Sequence, residues 1–373
     1  METYNQDKKM QIRMDQIAKI LCGSEAPSAE TLFGHPPERN IPSSLHSSTA
    51  ERILPSSGKA LCAPMFSRRD PEKLHDFFVL AGLERMHLRA QNILHDIIHS
   101  GMKQAFLIRL FDAAGVRSNR LPFRELLERV RNKYPAILIE NELETLLWGE
   151  SGLLPPRTSG NEPEESRKKT EELWNRWWNL RKDAAPPVVW NRRGVRPLNS
   201  PERRIAGIIL LLNRHGFNPL PRWLRQLKEY EPETFCRNLI GELVLNDPFW
   251  DFHTTFHSRR LETGAAVIGT ARARELATDV ILPSLRAAAC SEKDPETMNR
   301  VDSAFRALPC TQKNGVFRSA LQLWFEDPPS AEKLFRDAAS RQGVLHLHGN
   351  CCSNPHCSCS ECPVRRVLLP AIS

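Results

Sequence analysis

The chain lacks any run approaching the roughly 18 uninterrupted apolar residues that a membrane-spanning helix requires. Its longest apolar stretch, residues 205–212, is half a core helix. Residues 1–21 carry charges throughout and have no apolar h-region, so no secretory signal is expected. These two absences predict a cytoplasmic protein with no membrane partner. In that compartment cysteines serve as thiols or metal ligands rather than disulfides. Also missing are a Walker loop, a Gly-x-Ser-x-Gly elbow and a dinucleotide fingerprint. No fixed-period repeat occurs and no alternating pattern makes a convincing strand, although residues 136–140 and 344–348 fit short extended pieces. The fold class is therefore mainly α, a multi-helix globular bundle. No catalytic constellation is evident, and the reading leans away from an enzyme.

What is present is enough chain for about two domains, 373 residues. Hydrophobic residues make up 40 %, and 28 prolines cluster between the periodic segments. The net charge of +8 and pI near 9.0 permit an anionic partner, DNA or RNA, and fit a mildly basic solvated surface equally well. Composition divides the chain into a short N-terminal helix (1–22), a Ser/Pro/Gly-rich disordered linker (23–69), and a helical subdomain (70–156). A linker with a Trp-rich helix (157–200), a second helical subdomain (201–343) and a Cys/His-rich tail (344–373) follow.

Helix punctuation is explicit. Asp70-Pro71-Glu72 reads as an N-cap with Pro at N1, ahead of Leu74, Phe77, Phe78 and Ala81 at helical spacing. Gly115 stops a helix from Met102, Gly149 closes one over residues 136–148, and Pro201 opens an apolar helix that ends at Gly216. Trp174, Trp177 and Trp178 share a helix face; packing is the stronger reading, base stacking the weaker.

Five of the ten cysteines fall in the last two dozen residues, after His346-Leu-His348. Thiolates and imidazoles this dense hold a zinc ion or an iron–sulfur cluster that staples a segment too short to bury a core. Cys352, Cys359 and Cys362 stand as C-x6-C-x2-C, with Pro363 next. Four ligands are needed; Cys357, Cys351, His348 or the distant Cys310 can supply the fourth.

That spacing resembles the iron–sulfur loop of endonuclease III-type DNA glycosylases. Leu368 stands where that family has its last cysteine, and the glycine-rich hairpin is missing. The likeness therefore implies a centre that orders a loop and no glycosylase activity. A wider resemblance covers residues 71–366. Its carriers are Ala81-Gly82 with Arg85, Gly115, Asn119, Pro122-Phe123, Leu146-Leu147-Trp148-Gly149 and Gly152-Leu153-Leu154-Pro155. They continue through Trp190, Arg196-Pro197, Asn199, Pro201, Arg203-Arg204-Ile205-Ala206, Ile268-Gly269, Arg272, Leu282-Pro283, Leu308-Pro309, Asn314, Gln342-Gly343 and the cysteine tail. In this order they resemble the C-terminal part of a bacterial family, domain of unknown function 2851. The family's N-terminal part is similar to restriction-endonuclease-like nucleases and carries Gly-Pro-Asp-Phe and Gly-Asp-Val-Glu-Ile-His segments. Neither segment occurs here. The resemblance thus implies the helical half alone, either a truncated product or the partner of a separately encoded nuclease-like half.

Two other groups carry chemistry. His253 and His257 at i, i+4 fit two imidazoles on a helix face, with packing the stronger reading. Arg192, Arg193, Arg196 and Arg203 form a basic stretch suited to phosphate, or to internal pairing with acids such as Glu202 and Glu242. The favoured function is a non-catalytic, nucleic-acid-associated helical module with a metal or iron–sulfur site. The alternative is a metal-stapled interaction scaffold with no nucleic-acid role; redox use of the thiols is a third.

Overall fold

Asp70 caps the first long helix as its place before Pro71 predicts. Its Oδ1 accepts the backbone N–H groups of Glu72 and Lys73, both at 3.0 Å, which satisfies two of the donors a helix start leaves orphaned. In the computed structural model, residues 59–115, 118–155, 164–182, 186–310, 314–354, 357–360 and 362–368 are described. The expected N-terminal helix and most of the linker lie outside them.

The helices, in order, are α1 Ala63–Ser67, α2 Pro71–Ser100, α3 Met102–Ala114, α4 Arg120–Lys133, α5 Ala136–Asn141 and α6 Leu143–Ser151. Next come α7 Glu164–Leu180, α8 Pro201–His215, α9 Leu220–Glu229, α10 Pro232–Leu243, α11 Thr270–Leu276 and α12 Leu282–Ser291, with a wide turn at Ala277–Ile281 joining the last two. The remainder are α13 Pro295–Ala307, α14 Gly315–Trp324, α15 Pro328–Ala331, α16 Ala338–Leu347 and α17 Pro363–Leu368. Among the described residues there is no strand, only two isolated bridges. Residues 136–140 and 344–348, which fit extended pieces by sequence, are helical or in the turn that continues a helix.

The packing divides the chain differently from its linkers. One unit is drawn from Met1–Leu88 and Phe305–Ser373, the other is Arg89–Ala304. In the first, α2 crosses α16 with almost no space. A Cβ on Gly82 would lie 1.9 Å from the Ala339 carbonyl oxygen, and one on Gly343 would lie 1.9 Å from that of Phe78. Only glycine permits this approach. Arg85 Nε then donates to Gln342 Oε1 at 2.7 Å, and His75 contacts Asp337 Oδ2 at 3.2 Å. An aromatic core of Phe66, Phe77, Phe78, Trp324, Phe325 and Phe335 fills the unit.

Lys59 to Arg69, expected as linker, is packed. Lys59 Nζ donates to the carbonyls of Gln322 (2.5 Å) and Phe325 (2.8 Å), placing a cation at the C-terminal end of α14 where the helix dipole favours it. Ala60 N–H joins Leu323 O at 3.0 Å and Phe66 is only 1 % exposed. A few anchors, without any sustained period, are enough to seat this segment.

In the second unit Gly149 does not close a helix. Its place is under the Trp177 ring, where an added Cβ would meet ring carbon at 2.1 Å, and α6 runs on to Gly152, whose φ of 70° is the left-handed stop. Trp174 donates to the Pro155 carbonyl, so two of the three tryptophans pack, while Trp178 is exposed beneath Arg181.

The glycine crossing makes a direct test. Gly82→Ala or Gly343→Ala should cost about 3 kcal/mol, because a backbone carbonyl cannot yield to the new methyl. Gly241→Ala in α10, with nothing within 4 Å, should be neutral or stabilise by up to about 1 kcal/mol. Chemical denaturation of the three variants reads the difference.

Candidate metal centre

The tail begins where α16 ends. Asp337 Oδ1 accepts the Ser340 N–H at 2.7 Å and starts that helix. At its other end the helix widens into the turn His348–Cys352, closed by Ser353 N–H on the His348 carbonyl at 2.7 Å. The widened turn carries Cys351 inward, to 8 % exposure. The chain then returns to Cys362, which precedes Pro363 at the start of α17 and is 7 % exposed. The Sγ atoms of Cys351, Cys357 and Cys362 all lie within 4.8 Å of one another. These three cysteines can bind a metal ion.

The electrostatics explain the Cys-Pro order. Cys362 occupies the cap position of α17. Its thiol is held down to about 6 by the S–H of Cys351, then by the backbone N–H groups of Arg365 and Val364, which together outweigh burial. Cys351 is raised in turn, because it donates to Cys362 and is buried. Burial and the charge on Cys362 raise Cys357. Within the triad, negative charge is therefore favoured on Cys362 over Cys351 and Cys357, and a bound cation would displace the remaining protons.

The spacing C-x6-C-x2-C pointed to Cys352, Cys359 and Cys362, but the close triad uses Cys351 and Cys357 with Cys362. The wide turn sets this shift in phase, since it turns Cys351 rather than Cys352 toward Cys362. Cys352 sits beside the triad, accepts from Trp324 Nε1 at 3.3 Å, and is pushed up to about 11 by burial. Cys359 is half-buried within electrostatic reach of Cys352 and Cys357. His348 meets Ser353 Oγ at 2.9 Å and tilts against Trp324, with ring centres 6.2 Å apart. Cys310 is engaged elsewhere, donating to the Phe335 carbonyl at 3.1 Å. All the described cysteines are free thiols. Sequence reasoning missed Cys62, which is buried in the same core cluster as Cys351 and Cys362. It stands in a stretch without periodicity, almost 300 residues upstream of the tail, so no spacing pattern reveals it.

The basic stretch splits by burial. Arg203 is 3 % exposed, and its guanidinium donates to the backbone carbonyls of Trp250, His253 (3.2 Å), Ala265 (2.8 Å) and Ala266 (3.0 Å). It organises a loop and is not turned toward phosphate, because Ser200 and Pro201 start α8 in a phase that points it inward. Arg192 pairs with the buried Glu202 at 2.6 Å. Burial brings Arg204 down to about 9. Arg193 and Arg196 are exposed, on a loop turned at Gly194, where φ is 70°. His253 and His257 do not share a helix face: residues 251–258 form turns, and His253 is fully buried, stacked on Phe249 at 4.2 Å. The second unit also has an apolar cavity of about 170 Å³ beside Leu107, Phe111, Val130 and Leu147, with the Lys103–Glu140 ion pair among its lining and no acid–base pair aimed into it.

A family model described as protein of unknown function (DUF2851) matches residues 38–314, a span that ends before the thiol triad. No curated protein and no solved structure matches. No helix among the described residues is long and apolar enough to cross a membrane.

Arg203→Met should destabilise the protein by about 3 kcal/mol or more, since it strips several buried carbonyls of their donor. Arg193→Ala should stay within about 0.5 kcal/mol of the parent. Thermal or denaturant unfolding of the pair checks both.

Proposed function

Since the chain belongs to the protein family of unknown function DUF2851, we propose that it is a non-catalytic helical module of that family, its C-terminal tail ordered by a thiolate-bound metal centre. One observation carries the reading: three Sγ atoms within 4.8 Å of one another, those of Cys351 and Cys362 on buried residues. Tetrahedral zinc with Zn–S bonds near 2.3 Å sets its sulfurs roughly 3.8 Å apart. The triad reaches that with shifts of about 1 Å or less. A cubane cluster places iron and sulfide between its thiolates and needs them further apart, so zinc is the better fit and an iron–sulfur cluster the second.

A second reading rests on Arg193 and Arg196. Both are exposed, and neither has an acidic partner among the described residues. Paired guanidinium forks on a turned loop suit phosphate oxygens. This supports contact with DNA or RNA. A scaffold with no nucleic-acid role is the alternative.

Anaerobically purified protein assayed for zinc, iron and acid-labile sulfide should contain about one centre per chain, and Cys351→Ser, Cys357→Ser or Cys362→Ser should lose it. Metal-free wild-type protein with an ordered tail would end this reading. Because Cys351 and Cys357 are raised and hence protonated at neutral pH, ligation must release protons. Zinc affinity should therefore rise with pH between about 6 and 8, and calorimetry in buffers of different ionisation enthalpy should detect the protons. For the second reading, Arg193→Ala with Arg196→Ala should weaken binding to duplex and single strands uniformly and reduce the salt slope by about 2. A parent chain that fails to retain DNA or RNA at low salt leaves only the scaffold.

A further inference from the structure

We propose that Cys62 is a ligand of the tail's thiolate centre, so that one centre ties the segment before α2 to the C-terminal tail. The proposal rests on the metal reading above and extends it to a residue far from the tail in sequence. Three thiols form the close triad, and a tetrahedral site needs a fourth ligand. Cys62 stands immediately before α1, and α1 packs against α17, the helix that Cys362 caps. Cys62, Cys351 and Cys362 belong to one buried cluster, with Cys352 and Cys357 packed against it.

Electrostatics agree with this placement. Burial pushes the Cys62 thiol up to about 12, and the next influences are Cys352 and Cys362, with Cys359 also contributing. Three of the tail's thiols are thus near enough to act on its charge, although the close triad itself is Cys351, Cys357 and Cys362. Burial alone does not require that, as Cys236 shows. That thiol is equally buried, yet it donates to the Ala304 carbonyl at 3.1 Å and meets no other sulfur among its main influences.

The physical gain lies in chain entropy. A five-residue helix cannot hold itself in water, and α1 is held by a few anchors. A metal bond from Cys62 to the tail closes a loop of about 300 residues, the kind of closure for which a cross-link restricts the unfolded chain most. The same bond would dock α1 and order the tail in one step.

The test uses the full chain, loaded with zinc or cobalt(II), as wild type and as Cys62→Ser, Cys62→His, Cys362→Ser and Cys236→Ser. Cys62→Ser should bind metal more than about 100-fold more weakly. Cys236→Ser should bind as wild type does. Cys62→His should keep one cobalt ion per chain with an altered thiolate-to-cobalt charge-transfer band. In wild-type protein, iodoacetamide labelling of Cys62 should rise together with that of Cys362 when the metal is chelated, a readout that needs no variant. Full affinity in Cys62→Ser, an unchanged cobalt spectrum in Cys62→His, or labelling of Cys62 indifferent to chelation would overturn the proposal, while loss of metal in Cys362→Ser would leave the tail centre standing. A wild-type chain that takes up neither metal would overturn both.

Discussion

The crossing of α2 and α16 at Gly82 and Gly343 is the constraint on which the first unit depends. Two backbones approach so closely that a single methyl on either side would strike a carbonyl oxygen. That approach fixes the axis of α16, and α16 fixes where the cysteine tail starts. Arg85 on Gln342 and His75 on Asp337 hold the rotation about that axis. With α16 so placed, the wide turn after Leu347 delivers Cys351 to the interior beside Trp324 and the aromatic core. A tail with few large apolar residues thereby begins from a rigid platform.

From that platform the chemistry follows from burial and hydrogen bonding in competition. Burial raises a thiol and is the largest influence at Cys62 and Cys352. At Cys362 the donors win: a neighbouring S–H and two orphaned N–H groups of α17 stabilise the thiolate. A group of thiols of which one ionises readily suits the capture of a soft cation, which would remove the remaining protons as it binds. In the second unit a buried side chain orders an irregular segment. There Arg203 gathers the carbonyls of an irregular loop, and its charge is spent on backbone rather than on a partner.

Much of this was legible in the sequence, because capping chemistry is local. Asp70-Pro71 and Ser200-Pro201 start helices as their residue types require, and Gly216 ends one with φ at 77°. The dense cysteines pointed to the tail, and three of them do come together there. What failed to read was whatever depends on phase or on distant partners. Gly149 looks like a helix stop until Trp177 is seen lying on it. Arg203 looks like a phosphate ligand until the phase of α8 turns it inward. The C-x6-C-x2-C spacing does not show which sulfurs lie closest, because a wide turn cannot be recognised from composition. Cys62 carries no local signal at all; only the folded chain brings it to the tail.

The central claim is that the tail owes its order to a thiolate-bound centre seated on the α2–α16 platform. Amide hydrogen exchange of the metal-loaded and chelated full chain measures this residue by residue. The account predicts that chelation strips protection from residues 348–368 while Pro71–Leu88 of α2 and the whole of α14 keep theirs. Equal protection of residues 348–368 with and without metal would contradict it.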